Sequence, residues 1–152
     1  MFIHEVCKAL QQAKIPYAVV GGYAVAFHGA IRGTVDVDIV VNWSLKNLYN
    51  VEKVLKEIGL VSLIPINADN LFQFREEYIQ NRNLVAWNFY DPINPLNQVD
   101  IIITYDLKNG HTTTFQTFFG EIKVLSLKDL IAMKKASGRA QDLEDVKALE
   151  SL

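Results

Sequence analysis

The stretch Val19–Val41, VVGGYAVAFHGAIRGTVDVDIVV, decides the fold of this 152-residue chain. Its two apolar ends are typical of buried strands, and we predict strands at Tyr17–Val20 and Val35–Val41. Two adjacent glycines mark a turn after the first strand, and Tyr23–His28 is predicted to be a short helix. A strand, a helix and a second strand in close succession indicate a protein that mixes both kinds of element around one sheet.

The rest of the chain extends this pattern. Apolar residues at helical spacing predict helices at 2–13 and, after the N-cap Ser44, at 45–58. Further strands are predicted at 84–89, at 99–104 and within 118–125, and two C-terminal helices split near Gly138. Residues 60–83 are ambiguous, with a helical piece around 74–79. We therefore predict one domain, residues 1–152, of the α/β (α+β) class, with a mixed β-sheet, helices packed against it and two C-terminal helices.

Composition narrows the classes of function. Half of the residues are hydrophobic and 21% are charged, which excludes a disordered chain. The net charge of −2 does not favour nucleic acid as a partner, although a local patch that binds tRNA stays open. The single cysteine, Cys7, allows no internal disulfide, and no signal peptide or membrane-spanning run is predicted. These features predict a cytoplasmic protein without a membrane partner.

Three aspartates are the candidate metal ligands. Asp36 and Asp38 are two residues apart in a predicted strand, so their side chains lie on the same face. Two like charges so close repel each other, and an oxygen-seeking cation such as Mg²⁺ between them would relieve the repulsion. Asp100 stands alone in the apolar strand VDIIIT, where an unpaired carboxylate is costly. Pairing of the two strands would bring all three carboxylates together; alternatively, each lies at an exposed strand edge or end.

Candidate phosphate contacts come from glycines and cations. The backbone N–H groups around Gly21 and Gly22 could bind phosphate oxygens, although a tight turn alone also needs glycine. Lys134 falls in the middle of the apolar face of its predicted helix. It therefore needs an anionic partner, either a triphosphate or a carboxylate, unless its stem reaches out to water. Arg32 either holds a phosphate or anchors Asp142.

Two motifs resemble a known superfamily. Val20-Gly21-Gly22, followed after thirteen residues by DVDI at 36–39, resembles the signature of DNA polymerase beta-like nucleotidyltransferases. The segment VDI at 99–101 is similar to the third acidic element of that signature. The longer run 21–39 is similar to the minimal bacterial nucleotidyltransferases, including the AbiEii-like toxin group. The segment AMKKASGRAQDLEDV at 132–146 resembles the closing helix of that group.

The resemblance implies a nucleotidyltransferase fold and activity. A member of this superfamily transfers a nucleoside monophosphate from an NTP, for example ATP, to a hydroxyl and releases pyrophosphate. The acceptor would be RNA, a protein or a small molecule, with Mg²⁺ as cofactor and Mn²⁺ as a substitute. The expected catalytic and metal-binding residues are Asp36, Asp38 and Asp100, and the expected phosphate-binding residues are Gly21, Gly22, Arg32 and Lys134. A toxin or antitoxin protein is an expected partner, and the alternative function is a non-catalytic binding module of the same fold.

Overall fold

Seven strands form one mixed sheet. In chain order they are β1 (Tyr17–Val20), β2 (Val37–Val41), β3 (Val61–Ser62), β4 (Ala86–Tyr90), β5 (Gln98–Ile102), β6 (Thr112–Thr117) and β7 (Gly120–Leu125). Across the sheet they lie in the order β3, β4, β5, β2, β1, β7, β6. The strand that carries Asp38 is therefore the central one.

Seven helices accompany the sheet in this computed structural model, which describes all residues from 1 to 152. They are α1 (Phe2–Gln12), α2 (Gly21–Phe27), α3 (Leu45–Glu57), α4 (Ala68–Gln73), α5 (Arg75–Arg82), α6 (Leu127–Ser137) and α7 (Ala140–Glu150). None of them combines the length and apolar character needed to cross a membrane. The predicted class is confirmed: a mixed sheet, helices packed against it, and two C-terminal helices that separate at Gly138.

The register of the central strands determines which residues become neighbours. Strand β1 runs antiparallel to β2, with Val20 opposite Asp38. Strand β5 runs parallel to β2, with Asp100 opposite Asp38. Strand β4 runs antiparallel to β5, with Asn88 opposite Asp100. Because parallel neighbours need a crossover connection, everything from α3 to β4 is inserted between β2 and β5 along the chain.

The core explains why β2 is central. Val37 and Ile39 are fully buried on the face opposite Asp38, and they belong to a cluster of 32 buried hydrophobic residues. Such continuous apolar strands are stable only when both faces are covered. Helix α3 begins as predicted at the N-cap Ser44, whose Oγ accepts a hydrogen bond from the backbone N–H of Asn47.

Two element boundaries near the glycine pair differ from the sequence prediction. Helix α2 begins at Gly21, so the glycines form its first two residues and no separate turn precedes it. Strand β2 begins at Val37, so Asp36 lies in the bend that leads into the strand. The reason is that backbone pairing starts at Val37 with β5 and at Asp38 with β1, and side-chain periodicity does not reveal where pairing starts.

Strand β6 is absent from the sequence prediction, which has only one strand in this region. Its sequence, TTTFQT, shows no alternation of apolar and polar residues because it is an exposed edge strand, paired to β7 alone. Phe118 and Phe119 form the loop of the hairpin. Gly120 follows with a φ of +125°, a conformation that favours glycine. The hairpin thus depends on turn geometry rather than on a hydrophobic pattern.

Candidate functional site

The three predicted aspartates lie in one cleft. Asp38 and Asp100 are opposite each other on the parallel strands β2 and β5, so their side chains extend from the same face of the sheet. Asp36 precedes Asp38 by two residues and lines the same cleft. The structure therefore brings together the carboxylates that the sequence analysis selected, with Asp36 exposed and the other two half-buried.

Burial and mutual repulsion both disfavour ionisation of these carboxylates. Burial, followed by the charges of Asp100 and Asp36, raises the pKa of Asp38 to about 7, although Lys134 and Arg139 counteract part of the effect. Burial and the charge of Asp100 also raise the pKa of Asp36. Each carboxylate is thus within electrostatic reach of the other two. Binding of a cation beside these three carboxylates would therefore be favourable, because it would offset their negative charges.

The donor set fits magnesium in part. No three His, Cys, Asp or Glu side chains stand close enough to enclose a metal ion on their own. Magnesium, however, usually takes one or two carboxylates and completes its oxygen shell with water and substrate phosphates. Asp38 with Asp36 or Asp100 supplies that minimum, and a cation there would offset the burial and like charge that raise the pKa values of Asp36 and Asp38. The residues present fit a magnesium ion that arrives with a nucleotide.

The glycine pair makes room for strand β2, which carries Asp38, and for the segment before it. Gly21 has a φ of +67°, and a Cβ atom there would overlap the carboxylate of Asp38. A Cβ atom on Gly22 would lie 2.7 Å from Oγ1 of Thr34, which is too close for an ordinary contact. Both glycines line the cleft beside the aspartates. Glycine is required here because helix α2 starts directly against the strand that carries Asp38.

Replacing Gly21 with alanine is expected to disturb the site more than the fold. Backbone strain at a positive φ costs about 1–2 kcal/mol of unfolding free energy, and the new methyl group also displaces the Asp38 carboxylate. We expect lower stability in urea together with loss of magnesium-dependent nucleotide binding. Gly59→Ala is the matched control, because Gly59 has a φ of +93° and no atom within 4 Å of its would-be Cβ. Equal nucleotide affinity in Gly21→Ala and Gly59→Ala would contradict the close contact between residue 21 and the Asp38 carboxylate.

Beside the aspartates lies a buried ionic cluster centred on Lys134. Its Nζ atom lies 2.8 Å from Oδ2 of Asp145 and 3.5 Å from Oδ1 of Asp142, and the residue is only 6% exposed. The anionic partner that the sequence left open is therefore a pair of carboxylates. The alternative of a lysine reaching out to water is wrong. Asp142 and Asp145 meet the lysine together because they are three residues apart on one face of α7.

Two arginines extend the cluster outward. Nε of Arg32 donates to Oδ1 of Asp145 at 3.0 Å, so this arginine anchors Asp145 and not Asp142 as one alternative had it. Nε of Arg139 donates to Oδ2 of Asp142 at 2.8 Å. Both arginines and Lys134 line the cleft. The cluster thus joins three cations to two carboxylates, and its excess positive charge lies beside the three aspartates.

The two carboxylates of the cluster stay ionised despite burial. Burial raises the pKa of Asp142, but hydrogen bonds from Arg139 and Ser137 and the nearby cations outweigh it and lower the value to about 2. Burial likewise raises the pKa of Asp145, and hydrogen bonds from Lys134 and Gln141 outweigh it. Paired, hydrogen-bonded charges of this kind are the form in which a protein interior tolerates ions.

Asn88 is a site residue that the sequence analysis missed. Its Nδ2 atom donates to Oδ1 of Asp100 at 2.8 Å and to Oε1 of Gln98 at 3.1 Å. Its own Oδ1 atom is buried without a hydrogen-bond partner. The only signal in the sequence is an amide between the aromatic residues Trp87 and Phe89, and its meeting with Asp100 depends on the β4–β5 register. The contact orients the Asp100 carboxylate.

The cleft is larger than a site for one small ligand. Its volume is about 1230 Å³, whereas single small-molecule pockets occupy roughly 300–1,000 Å³. The aspartates, glycines and cations form its polar part. The apolar lining, referred to below as the apolar wall, includes Val35, Val85, Ala86, Ile102, Tyr105 and Met133. The cleft therefore offers a charged region and an adjoining apolar region large enough for two substrates.

Comparison with known proteins shows the fold. The sequence matches no protein-family model and no curated protein. An antigenic nucleotidyltransferase-like protein from Paracoccidioides brasiliensis is similar in structure, with a TM-score of 0.61, 18% identity, and coverage of 97% of this chain and 72% of that chain. The lincomycin-bound lincosamide adenylyltransferase LnuA also has a TM-score of 0.61, with 13% identity and coverage of 99% and 95%. ANT(2″)-Ia in complex with adenylyl-2″-tobramycin has the same TM-score, 10% identity and coverage of 97% and 84%. The chain has the nucleotidyltransferase fold.

Proposed function

We propose that this protein is a magnesium-dependent nucleotidyltransferase that transfers a nucleoside monophosphate from an NTP to a hydroxyl group. The observation that supports this most strongly is the in-register pairing of Asp38 with Asp100, beside Asp36 and the glycine pair, in one cleft. Structural likeness to LnuA and ANT(2″)-Ia, an adenylyltransferase and a protein bound to an adenylylated antibiotic, supports the same reaction class. Mn²⁺ would substitute for Mg²⁺ because both accept a shell of oxygen ligands.

Each carboxylate has a role in this reaction. Asp36 and Asp38 would hold the magnesium ion, which when bound neutralises charge on the phosphates. Asp100, oriented by Asn88, accepts the proton of the acceptor hydroxyl. The acceptor oxygen forms a bond to the α-phosphorus, the bond from that phosphorus to the bridging oxygen of the β-phosphate breaks, and pyrophosphate leaves. The catalytic gain comes from positioning and charge neutralisation.

The phosphates would occupy the polar part of the cleft. Gly21 and Gly22 allow the backbone to approach the β- and γ-phosphates closely, because neither has a side chain in the way. Arg32 lies at the cleft surface with one terminal nitrogen free of hydrogen bonds. Lys134 is occupied by two carboxylates, so it contributes mainly through its charge. The apolar wall would then receive the nucleoside and the unreactive part of the acceptor.

The proposed acceptor is a small molecule. The acidic side chains of the cleft are the three aspartates, the paired Asp142, and Asp129, which is bonded to His111. Because the chain has a net charge of −2 and the cleft has an apolar wall, the cleft suits a compact, partly apolar alcohol better than a nucleic-acid backbone. The toxin–antitoxin role and its protein partner stay predictions from the sequence resemblance.

Transfer of an α-labelled nucleotide tests the proposal. The protein is incubated with each of the four NTPs, with Mg²⁺ or Mn²⁺, and with lincosamide, aminoglycoside or tRNA as acceptor. We expect label from the α-phosphate to move to an acceptor, label from the γ-phosphate to leave as pyrophosphate, and EDTA to abolish both. Absence of pyrophosphate release with every NTP, together with no magnesium-dependent nucleotide binding, would contradict the proposal. Copurification of a tight protein partner would then favour the non-catalytic binding module.

A further inference from the structure

Arg139 is the most exposed cation of the ionic cluster. Its side chain is 73% exposed and lines the cleft, whereas the side chain of Lys134 is 8% exposed. The guanidinium donates from Nε to Asp142 at 2.8 Å and from Nη2 to the same carboxylate at 3.4 Å, while Nη1 makes no hydrogen bond. Arg139 is thus fixed through one edge and has donors left on the other.

A purely structural role does not account for this arrangement. Arg139 and Lys134 both pair with Asp142, but these pairs use only Nε and Nη2 of the arginine and leave Nη1 free. The backbone N–H of Arg139 at the start of α7 is satisfied by Oδ2 of Asp142, so the guanidinium is not needed for that bond. A structural role therefore leaves unexplained why the guanidinium of Arg139 is fixed by Asp142 at the cleft with a nitrogen free to donate.

Arg139 lines the same cleft as Asp36, Asp38 and Asp100, the carboxylates of the proposed site. Arg32 is its counterpart, since it is held in the same way through Nε by Asp145 and lines the same cleft. A guanidinium held by one edge is suited to phosphate, which it can bind through two parallel hydrogen bonds.

We infer that Arg139, together with Arg32, binds the β- and γ-phosphates of the donor nucleotide and the pyrophosphate that leaves. This inference rests on the proposed function, and it assigns the direct phosphate contact to Arg139 rather than to the buried Lys134. Arg139 is a substrate-binding residue whose orientation depends on Asp142. The site therefore selects a triphosphate donor over a monophosphate, because the two arginines contact only the phosphates beyond the first.

Titration of inorganic triphosphate in excess magnesium tests the assignment without any turnover. Arg139→Met is expected to weaken triphosphate binding by about tenfold or more, the typical effect of losing a charge-assisted hydrogen-bond pair. Binding of AMP should stay unchanged, since AMP lacks the β- and γ-phosphates. The matched control is Arg82→Met, which removes the same charge from an exposed residue at the end of α5, outside the cleft. If the melting temperature of Arg139→Met is far below that of the wild type, the same titration is made with Arg139→Gln.

The possible outcomes separate this inference from the proposed function. Wild-type triphosphate affinity in Arg139→Met, or an equal loss of AMP and triphosphate binding, would overturn the role of Arg139 even if the wild type transfers nucleotides. Selective loss of triphosphate affinity in Arg139→Met, with Arg82→Met unchanged, supports it. A wild type that binds triphosphate but releases no pyrophosphate from any NTP would favour the non-catalytic binding module and leave the anion site in place.

Discussion

Replacing Asp38 with asparagine is expected to abolish nucleotidyl transfer while making the metal-free protein more stable. The asparagine keeps the shape of the side chain but cannot balance the charge of a magnesium ion. A loss of several kcal/mol of transition-state stabilisation corresponds to a rate on the order of 10³-fold lower. Activity is measured as pyrophosphate release. Asp69→Asn, an exposed carboxylate in the first turn of α4, is the control and should leave the rate unchanged.

The stability of the same variant has a defined pH dependence. Because burial and like charges raise the pKa of Asp38 in the folded protein to about 7, its ionisation destabilises the fold at higher pH. The wild type therefore carries a penalty above pH 7 that disappears as the pH falls toward the unfolded-state pKa of about 4. In EDTA we expect Asp38→Asn to unfold at higher urea than the wild type at pH 8, by on the order of 1–3 kcal/mol, and the difference to vanish near pH 4. A variant less stable than the wild type at pH 8 would contradict this account.

Replacing Lys134 with methionine is expected to destabilise the protein by about 3–5 kcal/mol, the usual cost of removing one partner from a buried ion pair. Asp142 and Asp145 are both 3% exposed, so neither can regain water without opening the α6–α7 contact. Urea unfolding measures the loss. Lys135→Met is the matched control: the neighbouring lysine is 58% exposed and pairs with a half-exposed Glu150, so its removal should cost less than about 1 kcal/mol.

A combined variant separates the structural role of Lys134 from a role at the phosphates. Changing Asp142 and Asp145 to asparagine in the Lys134→Met background removes the buried negative charges that Lys134 no longer offsets. Stability should then recover in part because the residues are energetically coupled. If nucleotide affinity stays low after stability recovers, the cluster acts on the phosphates as well as on the fold. Equal destabilisation by Lys134→Met and Lys135→Met would show that the buried ion pairs of Lys134 contribute no more to the free energy of unfolding than the exposed pair of Lys135.

Local patterns were sufficient for most of the elements, though not for β6, and for three of the site carboxylates. Alternation along a strand, which is a property of the backbone itself, predicts that Asp36 and Asp38 share one face, although Asp36 lies in the bend before β2. Asp100 is recognisable because an unpaired carboxylate in an apolar strand is costly unless it has a binding partner. The split between α6 and α7 at Gly138 follows from a residue that adopts a left-handed conformation easily.

Only the tertiary structure decided which side chains meet. The pairing of Asp100 with Asp38, the contact of Asn88 with Asp100 and the choice of Asp145 as the partner of Arg32 join residues 12 to 113 positions apart. Strand register and helix docking create these contacts, and a shift of one residue in a strand would turn each side chain to the other face. The sequence alone therefore determined the residue types of the site and their local spacing. The distances between these residues were set only by the tertiary structure, because they depend on the pairing of the whole sheet.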